Sequence, residues 1–98
     1  MSLKRDKMYL HLGSDVSVHI NEIIGIFDIE KVTVQKYMND YLSICQKNGK
    51  IYYVSLDMPK SIIVCSDTVY ISNVSCLTLK KRFESIAVGS EQSDYEHG

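Results

Sequence analysis

The sequence contains no tryptophan, one proline, and no stretch rich in glycine. Without a G-x-x-x-x-G-K run or a G-x-G-x-x-G turn, a nucleotide phosphate has no glycine-built backbone cradle to occupy. Cysteine is scarce and odd in number: Cys45, Cys65 and Cys76 lie too far apart for a C-x-x-C zinc pattern and cannot all pair as disulfides. They read as small buried hydrophobes. No apolar run approaches the roughly 18 residues of a membrane-spanning helix, and the basic start, Met1 to Lys7, lacks the apolar core of a secretory signal. A soluble, cytoplasmic chain is the expectation. Charge of one sign is missing too, since the formal net charge is -1, which excludes a uniformly basic nucleic-acid binder and leaves only local clusters.

Catalytic motifs are equally absent. The sequence has no G-x-S-x-G elbow, no H-E-x-x-H and no carboxylates paired on a helix face. His11 and His19 flank a turn and can approach each other, but two imidazoles without a third ligand make no metal site. Neither an enzyme nor a cofactor or metal centre is expected.

What is present is a patterned domain of ordinary composition, 45% hydrophobic and 23% charged, of a size that builds one core. "MYLHLGSDVSVHI" alternates apolar and polar residues in two runs around Gly13-Ser14, which predicts a hairpin with a type II′ turn. "EIIGIFDIE" is nearly continuously apolar and predicts a strand buried on both faces. Next comes a change of period. Val34, Tyr37, Met38, Tyr41, Leu42 and Cys45 recur at helical spacing, so a helix capped by Thr33 and stopped at Asn48-Gly49 should place this stripe in the core. "KIYYVS", "SIIVCS" and "VYISNV" return to strands, with Tyr52 and Tyr53 on opposite faces. Ser75 can cap a short last helix through Phe83, and residues 87–98 carry no periodicity. The expected fold is α+β: a small, mostly antiparallel sheet, one long amphipathic helix and a short C-terminal helix. The expected division is an extension over residues 1–7, a domain over 8–86 and a disordered tail over 87–98.

Two places offer positive charge to a partner. In "LDMPKS", Pro59 fixes its own φ and biases Met58 away from the helical region, so the loop is rigid. It is either a plain connection or a place where Lys60 and Ser61 present an ammonium and a hydroxyl to an anion such as a phosphate. The second place is the run Lys80, Lys81 and Arg82 on the last helix, where Leu79 and Phe83 should face inward.

"MYLHLGSDVSV", "NEIIGIFDIE", "KIYYVS" and "SIIVCSDTVYISNVSCLTLKKRF", in this order, resemble the RemA and RemB regulators of bacterial extracellular-matrix genes. The resemblance spans residues 8 to 84 and is closer to the RemB branch, with its "MYLHLG" start and "PKS" before a strand; Met8 is then a natural start. It implies a non-enzymatic, homo-oligomeric transcription regulator of biofilm genes, because RemA-type proteins close into rings and present basic residues to the phosphates of promoter DNA. Where the RemA branch has an arginine-rich loop, a Gly-Arg-Arg-Thr-Arg-like run, this chain has Asp57, Met58 and Lys60, and a second basic position of that branch falls on Glu22. The DNA contacts that the resemblance implies are therefore reduced to Lys60 in the loop, with Lys80, Lys81 and Arg82 as further candidates. The alternative is an oligomeric module of the same fold that binds a protein and not DNA.

Overall fold

A computed structural model describes residues 8–32 and 36–97. The elements are β1 (Tyr9–Gly13), β2 (Val16–His19), a 3-10 turn (Ile20–Glu22), β3 (Ile23–Asp28), a single-turn α1 (Ile29–Val32), α2 (Lys36–Lys47), β4 (Ile51–Tyr53), β5 (Ser61–Cys65), β6 (Val69–Ser72) and α3 (Cys76–His97). The fold is α+β. β1 and β2 form a separate antiparallel hairpin, and the other strands form a sheet of order β3-β5-β6-β4. Its pairs are antiparallel except β4 with β6, which run parallel.

β5 is central and buried at every position. Because strand side chains alternate, its continuous apolar run serves two cores at once. Ile63 and Cys65 join Leu10, Leu12, Val18, Val54 and Leu79 on the side covered by the hairpin and α3. Ile62 and Val64 join Val69, Ile71 and Cys45 on the side covered by α2. β3, expected to be buried on both faces, is instead an edge strand of half-buried residues, with Ile24 exposed. An apolar run cannot by itself tell a central strand from an edge strand that leans on a helix.

The hairpin turns one residue later than the type II′ pattern predicts. The turn residues are Ser14 and Asp15, with Ser14 at φ 49° and Gly13 at φ 123° at a register irregularity. Gly13 is required there twice over, since a Cβ would also stand 3.1 Å from Asn73 Oδ1 and 3.3 Å from Val54 Cγ1. α2 stops where expected: Gly49 takes φ 69°, Lys50 N–H donates to the Cys45 carbonyl at 2.8 Å and Gly49 N–H to that of Gln46 at 3.1 Å, the paired bonds of a Schellman cap. The predicted cap Thr33 and Val34 lie outside the described residues, as does the extension over residues 1–7.

Two buried serines fasten the hairpin and α3 to the sheet. Ser72 Oγ donates to the Leu12 carbonyl at 2.6 Å and accepts from Val74 N–H at 2.9 Å, while Ser61 Oγ donates to the Val74 carbonyl at 2.7 Å. Ser75 then caps α3, accepting from Thr78 N–H at 3.1 Å. Leu79 is wholly buried, and Phe83 and Ile86, four and seven residues on, are half-buried beside it. The helix has 22 residues, longer than the short one expected from Ser75 and Phe83. Among the described residues no helix is long and apolar enough to cross a membrane.

Candidate nucleic-acid interface

The loop from β4 to β5 is rigid for more reasons than Pro59. Ser55 Oγ accepts from Asp57 N–H at 3.0 Å, Lys60 N–H donates to the Ser72 carbonyl at 2.8 Å, and the Lys60 carbonyl accepts from Ile29 N–H at 3.1 Å. Lys60 is thus clamped by its backbone between β6 and α1 while its side chain is exposed. Leu56 and Met58 point into solvent. Ser61, proposed above as a hydroxyl for an anion, has 0% exposure and spends its proton on Val74, so it is not available. The strand alternation that aims Ser61 inward cannot be seen until the register of β5 is known.

Lys60 lines a cleft of about 590 Å³ with Asp28, Glu30, Met58, Ser75 and Cys76. Two carboxylates stand against one ammonium here. The Asp28 carboxylate also accepts from Glu30 N–H at 2.9 Å, which caps α1. An anion approaching Lys60 along this cleft also meets the Asp28 and Glu30 carboxylates, although the cleft includes the first turn of α3.

The run Lys80, Lys81 and Arg82 occupies successive positions on α3, about 100° apart, so the three charges leave the helix in different directions. Lys80 borders a cleft of about 230 Å³ against β3, lined by Ile23, Ile24, Ile26 and Phe83. Arg82 leans the other way, and its Nη1 donates to the His11 carbonyl at 3.0 Å, tying α3 to β1. Lys81 is exposed, about 200° around the helix from the buried Leu79. Lys60 and Lys80 border different clefts, and neither of these two takes in Lys81 or Arg82.

Glu22 ends the 3-10 turn, where its carbonyl accepts from Ser66 N–H at 3.0 Å. Burial first, and the Glu22 carboxylate second, push the Cys65 thiol up to about 11. Burial raises Tyr70 as well, with Cys65, Glu22 and Tyr52 adding in that order. At neutral pH the thiol and the phenol are therefore protonated, and Glu22 is the charged group among them. No sequence signal marks this grouping, because Glu22 and Tyr70 are 48 positions apart. The two histidines are separately engaged: His11 Nε2 donates to the Ser14 carbonyl at 2.8 Å, and His19 meets Tyr9 edge to face at 5.2 Å while accepting from Asn21 N–H.

Fold and surface together define a small α+β domain whose polar groups serve surfaces and caps, with no His, Cys, Asp and Glu cluster able to hold a metal among the described residues. Residues 9–83 match the family model described as RemA-like, extracellular matrix regulatory protein A-like. The chain is also 37% identical over 75 residues to extracellular matrix regulatory protein B of Bacillus subtilis (strain 168), covering 76% of this chain and 89% of that relative. The chain belongs to the RemA-like family, and its similarity is to the B branch.

Proposed function

We propose that this chain is a RemB-like regulator of extracellular-matrix genes that works as a homo-oligomer and touches DNA through weak backbone contacts. The observation that carries the reading is the match across residues 9–83, nearly the whole described domain, to a family of matrix regulators. Support for assembly comes from the apolar side chains left in solvent on the α2 side: Tyr37, Tyr41 and Ile44 of α2 and Tyr53 of β4. β3 and β4 are the outer strands of the four-stranded sheet, and an open edge in so small a domain is commonly covered by a neighbour. A closed ring would repeat each basic residue around an axis, so contacts too weak singly could bind together.

DNA contact is the weaker half of the proposal. Asp57 and Met58 stand where the RemA branch carries arginines, and Lys60 shares its cleft with Asp28 and Glu30. That crowding of acid favours a second reading, an oligomer that binds a protein partner and not DNA. Light scattering and a salt titration of DNA binding decide between them. Multiple copies per particle together with a DNA affinity that falls as salt rises support the first reading. In that case Lys60→Ala and Lys81→Ala each flatten the slope of log K against log salt by about 0.9, and arginine at 57 and 58 steepens it. An oligomer without salt-dependent DNA affinity supports the second. A strict monomer across the micromolar range overturns both.

A further inference from the structure

A pocket of about 370 Å³ lies between the hairpin tip and the β4–β6 end of the sheet. It is lined by Asp15, Val16, Ser17, Tyr52, Thr68 and Tyr70, and neither lysine nor arginine is among them. Three separate parts of the chain build it. The turn at Ser14, with its positive φ, carries the chain round to Asp15, and Val16 and Ser17 begin β2. Parallel pairing of β4 with β6 sets Tyr52 directly beside Tyr70. Thr68 comes from the turn that enters β6, where its carbonyl accepts from Cys65 N–H at 2.9 Å.

The two tyrosine rings have their centroids 5.7 Å apart and planes 72° from each other. They make a nearly square corner. Aromatic faces carry negative quadrupole potential; in this edge-to-face contact one ring's edge meets the other's face, and the faces left open at the corner attract a weakly hydrated cation. Asp15 adds a full negative charge at the rim, and its carboxylate forms no ion pair or hydrogen bond among the described residues. The hydroxyls of Ser17 and Thr68 add acceptors without donors of fixed position. Glu22, outside the lining, adds a lesser negative field at the Tyr70 hydroxyl. Tyr70 is half-buried and packed on the core, so the corner is preorganised, whereas Tyr52 is half-exposed and leaves its ring open to a ligand.

We propose that the corner formed by Tyr52 and Tyr70, with Asp15 at its rim, is a binding site for an organic cation, either a quaternary ammonium group or a guanidinium. The site is separate from Lys60 and from the basic run of α3, and it does not depend on DNA binding. A free small molecule and an arginine side chain of a partner protein share the required chemistry, so the test includes both sources. Choline and N-acetyl-arginine amide are titrated into the full chain at constant ionic strength while backbone amide shifts are followed by NMR. A parallel titration uses the neutral alcohol in which carbon replaces choline's quaternary nitrogen.

The expected result is saturable shifts confined to residues 15–17, 52 and 68–70, with a dissociation constant on the order of millimolar for at least one cation. The tighter of the two identifies the source. Tyr52→Phe retains the ring and should retain binding, while Tyr52→Leu and Asp15→Asn each weaken it by about threefold or more. Both positions are solvent-accessible, so the variants stay folded, which the unchanged dispersion of the remaining amides verifies. Equal shifts with the neutral alcohol, shifts that do not saturate, or full binding by Tyr52→Leu would overturn the assignment.

Discussion

The two faces of the four-stranded sheet are covered in different ways. On the hairpin side Leu10, Leu12, Ile63 and Leu79 have no exposure at all, and Arg82, Ser61 and Ser72 tie the covering elements down with hydrogen bonds to carbonyls. On the α2 side Ile62, Val69 and Ile71 are just as deep, but the covering helix contributes only Cys45 as a buried residue and Met38 and Leu42 as half-buried ones. Tyr37, Tyr41 and Ile44 of the same helix stand 73%, 40% and 58% exposed. The core of one face is therefore sealed by its own chain, with clefts only at its margins, and the other is covered by a helix that leaves a run of apolar surface over. A difference of this kind teaches where a small domain is finished and where it has surface to give to another molecule.

The largest expected effect tests the sealed face. Leu79→Ala removes a wholly buried side chain at the joint of α3, the hairpin and the sheet, and should cost about 2 to 5 kcal/mol in a denaturant melt. Leu42→Ala, on half-buried α2, should cost clearly less in the same measurement. Equal losses would show the two covers to be equivalent. The next effect concerns the fastening. Ser72→Ala leaves the buried Leu12 carbonyl and Val74 N–H without their partner, so about 1 to 3 kcal/mol should disappear, and amide exchange should quicken in β1 more than in α2.

The smallest effect sharpens the comparison through pH. Cys65 lies on the sealed side, and its thiol ionises near 11 in the folded chain against 9.0 for the free group. Between these values the unfolded chain gives up the proton and the folded chain keeps it. Stability from this group is thus full below about pH 9 and is lost as pH rises toward 11. A thermal melt series should show this alkaline decline, and Cys65→Ala should flatten it while Tyr70, also raised, leaves a remainder. An unchanged alkaline slope in the variant would place the thiol in contact with water.

Much of the architecture was legible beforehand for local reasons. The β-helix-β order, the Gly49 stop of α2 and the Ser75 cap of α3 all depend on residues within a turn or two of one another. The continuous apolar strand was harder. "EIIGIFDIE" and "SIIVC" look alike as strings, yet β3 lies at the edge and β5 at the centre, because strand order is set by pairing and not by composition. The tyrosines of α2 misled in the same way. Helical period placed Tyr37 and Tyr41 on the stripe with Met38 and Leu42, but the sheet beneath is narrow enough that only part of the stripe meets it.

Alternation, capping and turn chemistry are written into neighbouring residues, so the sequence by itself determined which segments became strands and helices, and the order and spacing of its motifs carried the family. It also determined the net charge and that positions 57 and 58 are aspartate and methionine, not arginine. Only the tertiary structure decided what those residues could do. It turned Ser61 inward, spread Lys80 and Arg82 to opposite flanks of one helix, set Lys60 among carboxylates, and brought Asp15, Tyr52 and Tyr70 to one corner from parts of the chain up to 55 positions apart. The physical reason is that a side chain's chemistry depends on its neighbours in space, and those are chosen by strand pairing and packing over distances that local sequence does not encode.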